Sequence, residues 1–164
     1  MNETERKFLI AYPDTDALLR LPGATVSEIT QTYLLHPEGH SERVRMRTYA
    51  EGTVYYHTVK RFLTAMTNEE IEREISSEEY RELLVRADPR RMPIRKTRIC
   101  VPHGAHVLEI DIYPFWKKQA VLEVELESED TPLTLPSFVN VLREVTGEKA
   151  YKNRALALYV PVED

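Results

Sequence analysis

The strongest constraint on this chain is a period of two. From Glu3 onward, short stretches alternate charged or polar residues with apolar ones, and successive side chains of a β-strand point to opposite faces. The opening Glu3-Thr4-Glu5-Arg6-Lys7 runs into Phe8-Leu9-Ile10, so a strand here carries two carboxylates and an ammonium on one face. The alternation predicts eight strands, at about residues 2–10, 26–36, 41–49, 54–63, 69–75, 94–102, 106–113 and 119–127. Turn residues separate several of them: Pro37-Glu38-Gly39, Glu51-Gly52 and His103-Gly104. Connections this short imply antiparallel neighbours.

Sorting the strands by parity segregates charge by sign. Arg43, Arg45 and Arg47 share a face, as do Lys96 and Arg98, and Lys60 ends a strand of its own. Glu70, Glu72 and Glu74 share a face, as do Glu109 and Asp111, and Glu123, Glu125 and Glu127. A solvated sheet face ordinarily mixes signs, because like charges side by side are destabilising. Eight consecutive antiparallel strands also tend to close and so remove their edges. The fold class read from this is mainly β (α+β): a closed eight-stranded antiparallel barrel, its charged parity in the lumen and its helices packed outside.

Helical stretches are few. Asp14–Leu21 forms a short one, and residues 77–87 follow Ser76, with Glu79 completing a capping box. Residues 137–146 space Phe138, Val141, Leu142 and Val145 helically before Gly147, and a last helix covers Tyr151–Leu158. At 164 residues without linker or repeat, residues 1–164 read as one domain. No segment has the apolar length of a membrane span and the N-terminus has no signal-peptide pattern, so no membrane association is expected. Cys100 is the only cysteine, which excludes an intrachain disulfide and fits a reducing cytoplasm. A net charge of −5 argues against a nucleic-acid partner.

Paired carboxylates, with no thiolates and no histidines at ligand spacing, point to a hard divalent cation held by oxygen, Mg2+ or Mn2+. Glu3 and Glu5 on the first strand meet Glu123 and Glu125 on the last if the barrel closes between them, with Asp111 on the neighbouring strand. Lys7, Arg43, Arg45, Lys60, Lys96 and Arg98 form a basic set suited to a row of phosphates, since guanidinium forks match phosphate oxygens and lysines add point charges. Phosphoryl transfer asks for positioning and charge neutralisation more than for a nucleophilic side chain. Five glycines in total leave no room for a Walker-type loop. His36, His40, His57, His103 and His106 read as structural or solvated, and Tyr113 and Trp116 as packing at a barrel mouth.

These residues, taken in order, resemble the CYTH family, also called triphosphate tunnel metalloenzymes. The resemblance rests on Glu3-x-Glu5-x-Lys7, Gln31-Thr32-Tyr33-Leu34, Arg43-Val44-Arg45, Lys60, Glu72-Arg73-Glu74, Lys96-Thr97-Arg98, Asp111, Glu123-Val124-Glu125 and Tyr151-Lys152-Asn153-Arg154. It implies an eight-stranded tunnel that binds a small polyphosphate substrate with Mg2+ or Mn2+. Glu3, Glu5, Asp111, Glu123 and Glu125 look like metal ligands or their neighbours, and the six basic residues like phosphate binders. Tyr33 takes the place of a proposed proton acceptor, with Lys7 beside the reacting phosphate and Glu72 or Glu74 orienting water. Thr32 and Leu34 look like the small bacterial inorganic triphosphatases rather than the class IV adenylate cyclases or thiamine triphosphatases, which usually carry an acidic residue and an aromatic there. A triphosphate-binding module without turnover is the alternative of another class. Lys152 departs from the small polar residue expected at its position.

Overall fold

The alternating stretches pair as strands because one face of each is apolar enough to need cover and the other is not. The computed structural model describes residues 2–36 and 40–163. Among them are nine strands: β1 (Asn2–Ala11), β2 (Thr25–Tyr33), β3 (His40–Tyr49), β4 (Gly52–Phe62), β5 (Thr67–Ile75), β6 (Ile94–His103), β7 (His106–Ile112), β8 (Gln119–Leu126) and β9 (Val141–Glu144). The expected turn at Pro37-Glu38-Gly39 lies outside the described residues. Every pairing is antiparallel, in the order β5-β4-β3-β2-β6-β7-β8-β1-β9. A further β5–β1 pairing closes the first eight strands into a barrel.

Closure is staggered, as strand tilt in a barrel requires. Only Asn2, Glu3 and Thr4 pair with β5, opposite Glu69, Asn68 and Thr67, and the Thr4 and Thr67 hydroxyls meet at 2.8 Å. Higher on β1 the same edge is taken by β9, with Phe8 opposite Glu144 and Ile10 opposite Val141. This corrects the expected helix over 137–146. Its apolar residues do recur at helical spacing, but an unpaired β1 edge offers backbone hydrogen bonds that an exposed helix of about three turns would leave unused. Phe138, Val141 and Leu142 remain exposed, and only Val145 is buried.

The apolar parity faces outward and is covered in two places. Phe8, Ile10, Ile99, Leu108, Ile110, Leu122 and Val124 pack under Leu18 of α1 (Thr15–Leu19) and under Leu133, Leu135 and Val139. Leu34, Val44 and Ile75 pack under Tyr80 of α2 (Ser77–Leu83). The Ser76 hydroxyl accepts from the Glu79 amide at 3.1 Å, the predicted cap, and the helix tightens to a 3-10 turn at Leu84–Arg86. Glu42, buried on this outer face, holds that turn to the wall. It binds Arg86, His57 and His36 at 2.6, 2.6 and 2.9 Å. Burial alone would raise the Glu42 carboxyl, but Arg86, then His57 and His36, hold it at about 2. The two histidines are thus structural.

Inside, the charged parity becomes apolar toward one end. Lys7 gives way to Leu9, Glu123 to Val121 and Asp111 to Tyr113, and these pack with Tyr33, Ile94, Trp116, Val145, Leu156 and Ala157. The expected helix over Tyr151–Leu158 is a 3-10 turn, Lys149–Tyr151, and a short α3, Asn153–Leu156. Anchored by Met92 N–H to the Ala157 carbonyl at 2.7 Å, this segment seals the lumen into a cup. The chain reaches it through Gly147, whose φ of +75° leads it tightly past Ala65, where an added Cβ would stand 2.7 Å from the Ala65 Cβ. Gly147→Ala should therefore lower stability by about 1–3 kcal/mol, from backbone strain and overpacking, seen as a lower denaturant midpoint at unchanged slope.

Candidate active site

Strand register delivers the charged residues to the lumen. In the β1–β8 ladder Glu5 stands opposite Glu125 and Lys7 opposite Glu123, and in β7–β8 Glu109 stands opposite Glu123. Across the barrel, Tyr33 pairs with Arg43, Gln31 with Arg45, Thr58 with Glu72, and Lys60 with Glu70. The result is a cavity of about 200 Å³ with an acidic side on β1, β5, β7 and β8 and a basic side on β3, β4 and β6. Glu3, Glu5, Glu72, Glu123 and Glu125 line it, as do Lys7, Tyr33, Arg43, Arg45, Lys60 and Arg98.

Two expected contacts lie elsewhere. Asp111 and Lys96 are fully buried behind the cavity wall, 2.8 Å apart. Asp111 also takes two guanidinium bonds from Arg98, at 2.7 and 2.9 Å, which use both its oxygens. Burial would raise Asp111, but Arg98 and then Lys96 hold its carboxyl below the usual range. Burial pulls the Lys96 ammonium down to about 7, and Asp111 opposes the shift. The pair sits under Arg98 and aims it into the cavity, where Arg98 also holds Glu109 at 2.8 Å. Glu109 and Glu70, by contrast, do line the cavity. Their parity, shared with Asp111 and with Glu72, was the signal for both.

The acidic side is strained by its own charge. Burial first, then Glu70 and Glu125, push the Glu3 carboxyl up to about 8. Glu5 rises through burial and Glu123, and Glu125 through burial and then Glu109, Glu70 and Glu123. Among the described residues no three acids converge as a ready-made metal site. Crowded oxygen donors with nothing softer among them fit a hard divalent cation, whose charge would relieve the repulsion. Glu3, Glu5, Glu123 and Glu125 are the residues that would hold it.

The basic side is strained in the same way. Burial first, then Arg43 and Arg98, lower Arg45 to about 10, and its Nε and Nη2 both donate to the Gln31 carbonyl oxygen, at 3.2 and 3.0 Å. Gln31 passes the polarity on, donating to the Tyr33 hydroxyl at 2.9 Å. Lys7 bridges the two sides, 3.3 Å from Glu123, and Lys60 lies 3.2 Å from Glu70. Cations that crowd cations in a buried cavity are a receptor for an anion.

Comparison with known proteins agrees with this geometry. The family model for the CYTH domain matches residues 1–152. The chain belongs to the CYTH domain family. It is 33% identical to an inorganic triphosphatase of Nitrosomonas europaea over 98% of its own length and all of that protein's. The solved structure of the inorganic triphosphatase NE1496 superposes with a TM-score of 0.60, at 29% identity, over 98% of this chain and 97% of that one. A Pyrococcus horikoshii protein, PH1012, shares the fold at 22% identity and a TM-score of 0.60 over 78% of this chain and 80% of its own.

The raised Glu3 carboxyl fixes the sign of a pH effect. Between 4.5 and about 8 the folded CYTH domain keeps a proton that the unfolded chain has lost, so the contribution of this group to stability falls as pH rises through that window. In metal-free protein, Glu3→Gln should therefore melt higher than wild type at about pH 9 and alongside it near pH 4, where both side chains are neutral. A melting difference that is the same at both values would contradict this account of the acidic wall.

Proposed function

We propose that this CYTH protein is a divalent-metal-dependent triphosphatase that hydrolyses inorganic triphosphate to pyrophosphate and phosphate. The observation that carries the reading is the lumen itself, in which buried arginines crowd one another opposite crowded carboxylates. A polyanion neutralises the first set, and a cation shared between anion and carboxylates the second. The cavity, about 200 Å³, is also smaller than the roughly 300–1,000 Å³ of sites for larger organic ligands, which suits a compact inorganic chain.

The residues divide the work by position. Arg43, Arg45 and Arg98 grip phosphate oxygens, and Lys7 and Lys60 add charge at the junction with the acidic wall. Their contacts strengthen as negative charge shifts onto the leaving phosphate, which favours the transition state over the ground state. Lys96 and Asp111 act at one remove by orienting Arg98. Glu72, held by the Thr58 hydroxyl at 2.7 Å, would orient the attacking water, and Tyr33, whose hydroxyl oxygen accepts from Gln31, would receive its proton as the phenolate. A bound Mg2+ or Mn2+ on Glu3, Glu5, Glu123 and Glu125 supplies further neutralisation of the phosphate oxygens.

Purified protein with Mg2+ or Mn2+ should release phosphate from tripolyphosphate far faster than from ATP. Arg45→Ala should lower kcat/KM by about a hundredfold, the scale of one or two charge-assisted hydrogen bonds. Absence of release with either metal would end the proposal. Cyclic AMP and pyrophosphate as the main products from ATP would move the reading to a cyclase.

A further inference from the structure

Lys152 sits on the segment that seals the cup, between the 3-10 turn and α3, in extended backbone. Its backbone has little freedom. The Lys7 ammonium donates to the neighbouring Tyr151 carbonyl at 3.2 Å, the Tyr113 hydroxyl donates to Asn153 Oδ1 at 2.5 Å, and the Arg91 guanidinium donates to the Arg154 carbonyl. From this fixed base the side chain reaches the cavity wall, where its ammonium lies 3.9 Å from the centroid of the Phe62 ring at the end of β4.

No carboxylate among the described residues forms an ion pair with Lys152. Burial first, then the neighbouring Lys7 and Lys60, hold its ammonium below the ordinary lysine range, while Glu5 pulls the other way. A ring face offsets part of the cost of a half-buried cation but does not neutralise it. Lys152 thus lines the same cavity as Lys7 and Lys60, each of which has a carboxylate partner, and an anion there would supply the counter-charge that Lys152 lacks.

Place matters as much as charge. A bare terminal phosphate presents more negative oxygens than an esterified one and carries no bulk. Inorganic triphosphate has two such ends, whereas a nucleoside triphosphate has one, and its other end carries a sugar that would meet Phe62 and the sealing segment. Resting on the triphosphatase reading, we propose that Lys152, stacked on Phe62, determines specificity by binding a second unesterified terminal phosphate, so that the cup favours inorganic chains over nucleotides.

Lys152→Met and Lys152→Arg test this. Methionine removes the charge but keeps the unbranched stem over Phe62, so the variant should melt at or above the wild-type temperature. With Mg2+, Lys152→Met should raise KM for tripolyphosphate about tenfold, leave KM for ATP nearly unchanged, and lower the tripolyphosphate-to-ATP ratio of kcat/KM accordingly, while Lys152→Arg restores most of the preference. Equal changes for both substrates, or none, would overturn the assignment. Calorimetry of tripolyphosphate binding to metal-free protein separates this from the parent reading. If the wild type fails to turn tripolyphosphate over, the triphosphatase reading falls, and a roughly tenfold weaker binding to Lys152→Met still supports the contact. Equal binding to the two proteins overturns it.

Discussion

Closing a sheet into a barrel forces every second residue of every strand inside, and in this protein many of those inward residues are ionisable. The lumen is stable only because closure brings opposite signs within reach: Lys7 with Glu123, Lys60 with Glu70, and Arg98 with Asp111 and Glu109. Asp111 is the deepest of these contacts. Removing it would leave the buried Lys96 without its ion-pair partner and Arg98 leaning on Glu109, and a broken buried pair costs about 3–5 kcal/mol. The outer apolar face, the short helices and the sealing segment all presuppose that this charged interior is balanced.

Balance is incomplete, and what remains is where chemistry belongs. The protein has paired its deepest charges and left some at the cavity surface short of counter-charge: Glu3 pushed up by acidic neighbours, Arg45 pulled down by basic ones, Lys152 stacked on a ring. Such strain is the cost of a site whose ligand supplies the missing charges, and it explains why acidic and basic sides are segregated. Interleaved signs would have neutralised one another and left nothing to bind. Membership of the CYTH domain family and likeness to an inorganic triphosphatase accord with a lumen built on that plan.

Much of this was legible one strand at a time. Parity alone placed Glu3, Glu5, Lys7, Arg43, Arg45, Lys60, Glu72, Arg98, Glu123 and Glu125 on the inner face, because a period of two admits only two faces. Parity has no depth, however. It could not separate Lys96 and Asp111, buried behind the wall, from Arg98 one step along, nor promote Glu109 and Glu70 over their neighbours. The strand at Val141–Glu144 was hidden for another reason: its residues also fit a helix, and the choice was made by a free edge on β1, more than 130 residues away in sequence.

By itself, the sequence determined the strand alternation, the sign of charge on each inner face and the choice of hard oxygen donors, since all three follow from local spacing and side-chain chemistry. Tertiary structure alone decided which charges neutralise each other, where the barrel is sealed and which cations are left over. Those outcomes depend on register and stagger between strands distant along the chain. Coulomb interactions and desolvation respond to ångström-scale distance and burial, which no run of residues carries.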